Sequence, residues 1–179
     1  MKHLIATAAA ALLLAAGAAS AAEVSVSIGP ELQKNTKAYG ARDVEMLRKD
    51  LADYVQRALA KPGAAPLQRV DLVLESATPN HPTFNELVDQ PGLSLLSVGL
   101  GGAAITGTVT GADGVAKPVS YRWHEIDLHQ VVGYTTWTDA NSVFDRFALE
   151  IARGKLPNDG PYHPDLTSYA AFDSQGRYR

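Results

Sequence analysis

The sequence predicts an α+β domain: a two-layer sandwich in which two helices cover one face of a mainly antiparallel four-stranded sheet, in the order β-α-β-β-β-α. Three observations predict it. Apolar residues recur at the 3.6-residue helical spacing in two stretches, 43–58 and 139–151. Four other stretches carry period-two alternation or runs of β-formers. Two amphipathic helices then need one sheet face to cover.

The elements follow in order. Val24, Val26 and Ile28 alternate with Ser25, Ser27 and Gly29, which is a half-buried strand ended by Pro30. Residues 30–41 are polar and read as a loop. Val44, Leu47, Leu51, Tyr54, Val55 and Ala58 form one helical face, with Asp43 as the expected N-cap and Lys61-Pro62-Gly63 as the stop. Val70, Leu72 and Leu74 alternate with Asp71 and Glu75 nearby, giving a second strand. Thr78-Pro79-Asn80-His81-Pro82-Thr83 is too proline-rich for regular structure, Phe84–Val88 reads as one helical turn, and Pro91-Gly92 breaks the chain again. Pro91–Ala112 holds no charge, but six glycines and five serines or threonines make it a poor membrane span. Ala103–Thr110 reads as a strand, Ala112-Asp113-Gly114 as a hairpin turn and Val119–Leu128 as the returning strand. Residues 133–138 read as a loop. Thr138 or Asp139 is the expected cap of a second helix that places Val143, Phe144, Phe147 and Ile151 on one face, closed by Gly154 and Pro157.

One conflict of parity stands in the fourth strand. Val119, Tyr121 and Trp123 share parity with Glu125 and Asp127, whereas Ile126 and Leu128 have the opposite parity. Either a bulge near His124 switches faces or the strand leaves the sheet there.

The N-terminus reads as an export leader. Met1-Lys2-His3 is a short basic start, Leu4–Ala16 an apolar run, and Ala19 and Ala21 occupy the small positions that a signal peptidase reads. The apolar run falls short of the roughly 20 residues a spanning helix needs. Cleavage near Ala21 predicts a periplasmic or secreted protein with no stable membrane anchor. The expected organisation is a leader over 1–21, one domain over 22–156 and a loosely structured tail over 157–179. The chain has no cysteine, which excludes disulfides, thiolate zinc sites and cysteine nucleophiles. Without Lys2 the balance is 15 basic against 19 acidic side chains, and no basic cluster offers a footprint for nucleic acid. Anionic lipid is disfavoured for the same reason.

Pro79-Asn80-His81-Pro82-Thr83, Pro91-Gly92-Leu93-Ser94 and Gly101-Gly102-Ala103 are similar to segments of a family of uncharacterised exported bacterial proteins. The element order resembles small envelope domains such as the N-terminal domain of TolB and the lipoprotein activators of peptidoglycan synthases. The second resemblance implies an assembly or adaptor role and no catalysis.

Candidate chemistry is sparse. Glu125, Asp127 and His129, at i, i+2 and i+4 on the expected strand, share one face and are metal-ligating types, so a small metal-dependent hydrolase is the alternative to a binding module. Asp71 with Glu75, or Glu125 with Asp127, are the carboxylate pairs available for glycoside chemistry. Gly99-Leu100-Gly101-Gly102-Ala103-Ala104 has the spacing of a dinucleotide loop, but β-formers follow where a helix must open. The glycines instead mark a bulge, close packing, or a flat sheet edge that a partner strand extends. No G-x-S-x-G elbow is present, and no cofactor is expected. The binding candidates are Asn80, His81 and Thr83 as polar tips of a rigid loop, the edge glycines Gly99, Gly101 and Gly102, and Trp137. The partner they suggest is an envelope protein or glycan.

Overall fold

A computed structural model describes residues 22–131 and 133–160. The expected leader, 1–21, and most of the expected tail, 161–179, lie outside the described residues. The sheet has four strands in the order β1-β2-β3-β4: Glu23–Ile28, Leu67–Thr78, Gly102–Gly111 and Ala116–His124. β1 and β2 run parallel, because the crossover helix α3, Ala41–Leu59, carries the chain back before β2 begins. The β2–β3 and β3–β4 pairs are antiparallel, and the second is a hairpin turning at Gly114, whose φ is +74°. The α+β sandwich expected from periodicity is the fold.

α3 and the last helix, α5 (Thr138–Ala152), pack on each other and on one sheet face. α3 buries Val44, Leu47, Leu51, Val55 and Ala58, and α5 buries Val143, Phe144, Phe147 and Ile151. These meet Val70, Leu72, Leu74, Ile105, Val109 and Val119 from the sheet. Burying one such aliphatic or aromatic side chain contributes about 1.5–3 kcal/mol, so this layer contact carries most of the stability. α5 ends as its sequence predicts. Gly154 adopts φ +75°, Gly154 N–H donates to Ile151 O and Lys155 N–H to Glu150 O, a Schellman closure.

The opposite sheet face is polar. Ser25 donates to Asp71 at 2.7 Å, Arg69 pairs with Asp71 at 2.6 Å and Thr106 donates to Glu75 at 2.6 Å. Asp71 and Glu75 are therefore spent on cross-strand bonding.

Several local expectations are corrected. The polar stretch after Pro30 folds into two short helices, α1 (Pro30–Lys34) and α2 (Thr36–Tyr39), because Leu32 is fully buried and anchors it. Asp43 is not an N-cap but lies inside the first turn of α3, behind Gly40 at φ +94°. The N-cap of α5 is Trp137, with Thr138 and Asp139 inside the helix. β4 stops at His124, four residues short of its expected end, which resolves the parity conflict: the chain leaves the sheet there and turns into a 3-10 helix, Leu128–Val131. Pro157–Gly160 is not loose. Ser120 N–H donates to Pro157 O, Asp159 N–H to Ser120 O, and Ser120 Oγ to Gly160 O, so this stretch lies along the outer edge of β4.

Candidate functional site

One end of the sheet gathers the loop, glycine, tryptophan and metal-set residues that the sequence singled out. Thr78, Gly102 and His124 are register partners across β2, β3 and β4, so the loops that leave them share that end. The loop after β2 runs through Pro79–Thr83 into α4 (Phe84–Asp89) and on to Gly101, and the loop after β4 runs through Glu125 to Trp137. Gly101 O accepts from Glu125 N–H and Asn80 N–H donates to Thr136 O, which ties the two loops together.

Their polar residues turn inward. Asn80 is fully buried. Its amide donates to Asp139 at 2.5 Å and to Gly99 O, and its Oδ1 accepts from Asp139 N–H at 2.9 Å. The Asp139 carboxylate, also buried, takes Gly101 N–H at 3.1 Å. Asn80 and Asp139 thus form a structural knot between the β2 loop, the start of β3 and the first turn of α5. Thr83 is buried as the N-cap of α4: its hydroxyl accepts from Glu86 N–H and donates to Ala38 O, while the Glu86 carboxylate accepts from Thr83 N–H. Trp137 is buried edge-on against Tyr39 at 5.4 Å, its ring N–H 3.3 Å from Asp43 Oδ2. None of these three is the exposed tip or surface ring that polarity and aromaticity suggested. Short polar side chains next to prolines are spent on buried backbone groups instead.

The glycines also serve packing. Gly102 belongs to a strand paired on both sides, so it offers no free edge to a partner strand. A Cβ there would run into the Trp123 carbonyl and the His124 ring, and one on Gly101 would lie 2.7 Å from the Asn80 amide. Gly99 N–H donates to Asn80 O. His124 itself is half-buried, and burial, with Arg122 adding to it, pushes its imidazole below the ordinary histidine range against the opposing pull of Asp139.

The expected metal set does not share a strand face, because all three residues lie beyond β4. Glu125 Oε1 accepts from the backbone of Ile126 and Asp127, and Asp127 Oδ1 accepts from His129 N–H and meets His129 Nδ1 at 2.8 Å. The His129 backbone and ring hold the exposed Asp127 carboxyl below the usual carboxylate range. Among the described residues no three His, Asp or Glu side chains are arranged to hold a metal ion.

Of the loop candidates, His81 lines a cleft, with Gly99 and the buried Asn80 in its wall. It shares a depression of about 280 Å³ with Pro82, Glu86, Gln90, Leu93 and Val98. Its Nδ1 meets Ser97 O at 2.9 Å and so holds the far side of the depression. That far side is the feature the sequence reading missed. Ser94-Leu95-Leu96-Ser97 is a β-turn: Ser97 N–H donates to Ser94 O, Ser94 N–H to Ser97 Oγ and Leu96 N–H to Ser94 Oγ. The two serines close the turn on itself and push its central leucines out, with Leu95 77% and Leu96 89% exposed. Phe84 and Val88 on α4, Val98 after the turn, and Ile126 and Leu128 beyond β4 are exposed too, and Leu93 partly so. Eight of the ten large apolar side chains exposed among the described residues therefore lie at this one end. The sequence held a signal for it: Leu93–Val98 is apolar yet enclosed by Pro91-Gly92 and Gly99, so no helix or strand is available to bury it.

No helix among the described residues is long and apolar enough to cross a membrane. No protein-family model, curated protein or solved structure matches the chain.

Proposed function

We propose that this chain is a non-catalytic binding module of the bacterial envelope, working in the periplasm or outside the cell, that docks a protein partner through the apolar end of its sheet. The leader-like residues 1–21 support the location. One observation carries the docking surface: the clustering at a single end of Phe84, Val88, Leu93, Leu95, Leu96, Val98, Ile126 and Leu128. Large apolar side chains exposed singly are ordinary, but eight gathered at one end of a sheet are not.

The test pairs Leu95→Ser with Leu96→Ser in one variant. Both leucines project from a turn held by serine and backbone bonds, so the unfolding free energy is expected to stay within about 0.5 kcal/mol of the parent. Cross-linked capture from the envelope of the native cells is expected to recover a partner with the parent and lose it with the variant. Identical recovery by both proteins would refute the docking surface, and fractionation into the cytoplasm would refute the location.

A further inference from the structure

The two stretches that build the apolar end, Val70 to Ala116 and Trp123 to Asp145, carry carboxylates and no Lys or Arg. Those stretches place Glu86, Asp89, Glu125 and Asp127 among the exposed apolar side chains. Among the described residues Asp89 and Glu125 make no ion pair, and Glu86 is held by Thr83 without one. The cations nearest this end come from other stretches: Lys37 on α2, whose carbonyl accepts from Asn85, and Arg122 on β4, which acts on His124. Resting on the docking surface proposed above, we infer that its occupant is a partner polypeptide segment that is apolar at its centre and carries Lys or Arg at its flanks.

Charge complementarity selects this occupant over three others. A second copy docking the same end would set four carboxylates against four, and like charges brought together at an interface oppose association. An anionic bilayer repels the same rim, and no cationic side chain in the two stretches is available to hold phosphate groups. An acidic segment meets that repulsion too. A basic flank instead gains attraction at the rim, where it steers encounter and fixes orientation, while the leucines supply the desolvated centre.

A photoreactive benzophenone side chain installed at position 96 tests this in the native cells, with the same group at position 46, an exposed site on α3, as the control. Peptide mapping of the adducts reads the chemistry of the neighbour directly. The expected result is adducts at 96 on foreign segments that combine apolar residues with Lys or Arg. Their yield is expected to fall about tenfold when Asp89→Lys and Glu125→Lys are combined, and less in Asp89→Asn with Glu125→Gln. Adducts at 96 on lipid, on a second copy, on residues 161–179 of the same chain or on acidic segments would overturn the inference while leaving an occupied apolar end. An unchanged yield in the charge-reversed protein would do the same. No adduct at 96 above the position-46 control would instead remove the docking surface itself.

Discussion

Asn80→Ala tests whether the polar loop residues are structural. The side chain is fully buried and makes three hydrogen bonds, two donated to Asp139 Oδ2 and Gly99 O and one accepted from Asp139 N–H. Alanine leaves each of those partners without its side-chain mate, and the Asp139 carboxylate keeps Gly101 N–H alone among its bonds here. An orphaned buried polar group costs about 1–3 kcal/mol, and a hydrogen bond to a charged group contributes about 1.5–3 kcal/mol. Because the terms overlap at Asp139, the expected loss is about 3–5 kcal/mol, a large share of the roughly 5–15 kcal/mol that holds a domain folded. Urea unfolding followed by tryptophan emission measures it, since Trp137 precedes Asp139 at the start of α5. Asp139→Asn keeps the shape and an acceptor for Gly101 N–H while removing the charge, and is expected to cost less, about 1–2 kcal/mol. A loss below about 1 kcal/mol in Asn80→Ala would refute the knot and return Asn80 to the role of a solvated tip.

Two further outcomes follow from the same geometry. His124 titrates below its ordinary value in the folded protein, so the unfolded chain binds the proton first as pH falls. Its contribution is fully present above the unfolded pKa of about 6.5 and is lost below it, with a slope of at most about 1.4 kcal/mol per pH unit; urea midpoints between pH 8 and 5 are expected to fall less in His124→Gln. A chain ending at Leu156 loses the partners of Ser120 N–H, O and Oγ and of Arg122 N–H, which a chain ending at Gly160 keeps. Net values near 0.5–1.5 kcal/mol per bond are largely offset by ordering four residues at about 1–2 kcal/mol each, so thermal or urea unfolding is expected to favour the longer chain by no more than about 2 kcal/mol.

What was legible followed from period and punctuation. α3, α5 and the β3–β4 hairpin declare themselves because one face of each is buried, so burial writes its spacing into the residue order. α1 and α2 left almost no such trace: Leu32 is their one fully buried apolar residue, and a single anchor has no period. The site was misread for a related reason. Composition ranks Asn80, Thr83 and Trp137 as surface candidates by polarity or aromaticity, but where a short polar side chain points depends on which backbone groups need satisfying. Those groups come from Ala38, Gly99 and Asp139, distant in sequence. The Glu125, Asp127 and His129 spacing assumed a strand that ends at His124, so the shared face disappeared with the strand.

The leucines at 95 and 96 are best understood through what denies them burial. Gly92, at φ +102° behind Pro91, turns the chain, and Leu93 N–H closes that turn on Gln90 O. The Ser94–Ser97 turn then reverses it again, and at its far end Ser97 O meets His81 while Gly99 N–H is fixed on Asn80 O. A segment tied at both ends cannot fold its apolar side chains back toward the core without breaking the bonds that tie it. The tip is therefore held in its exposed form by the bonds at its two ends, and the docking proposed above would not carry the cost of ordering it. The buried knot at Asn80 and the exposed turn at Leu95-Leu96 are thus two parts of one arrangement: the first fixes the loop on the sheet, and the second presents what the loop carries.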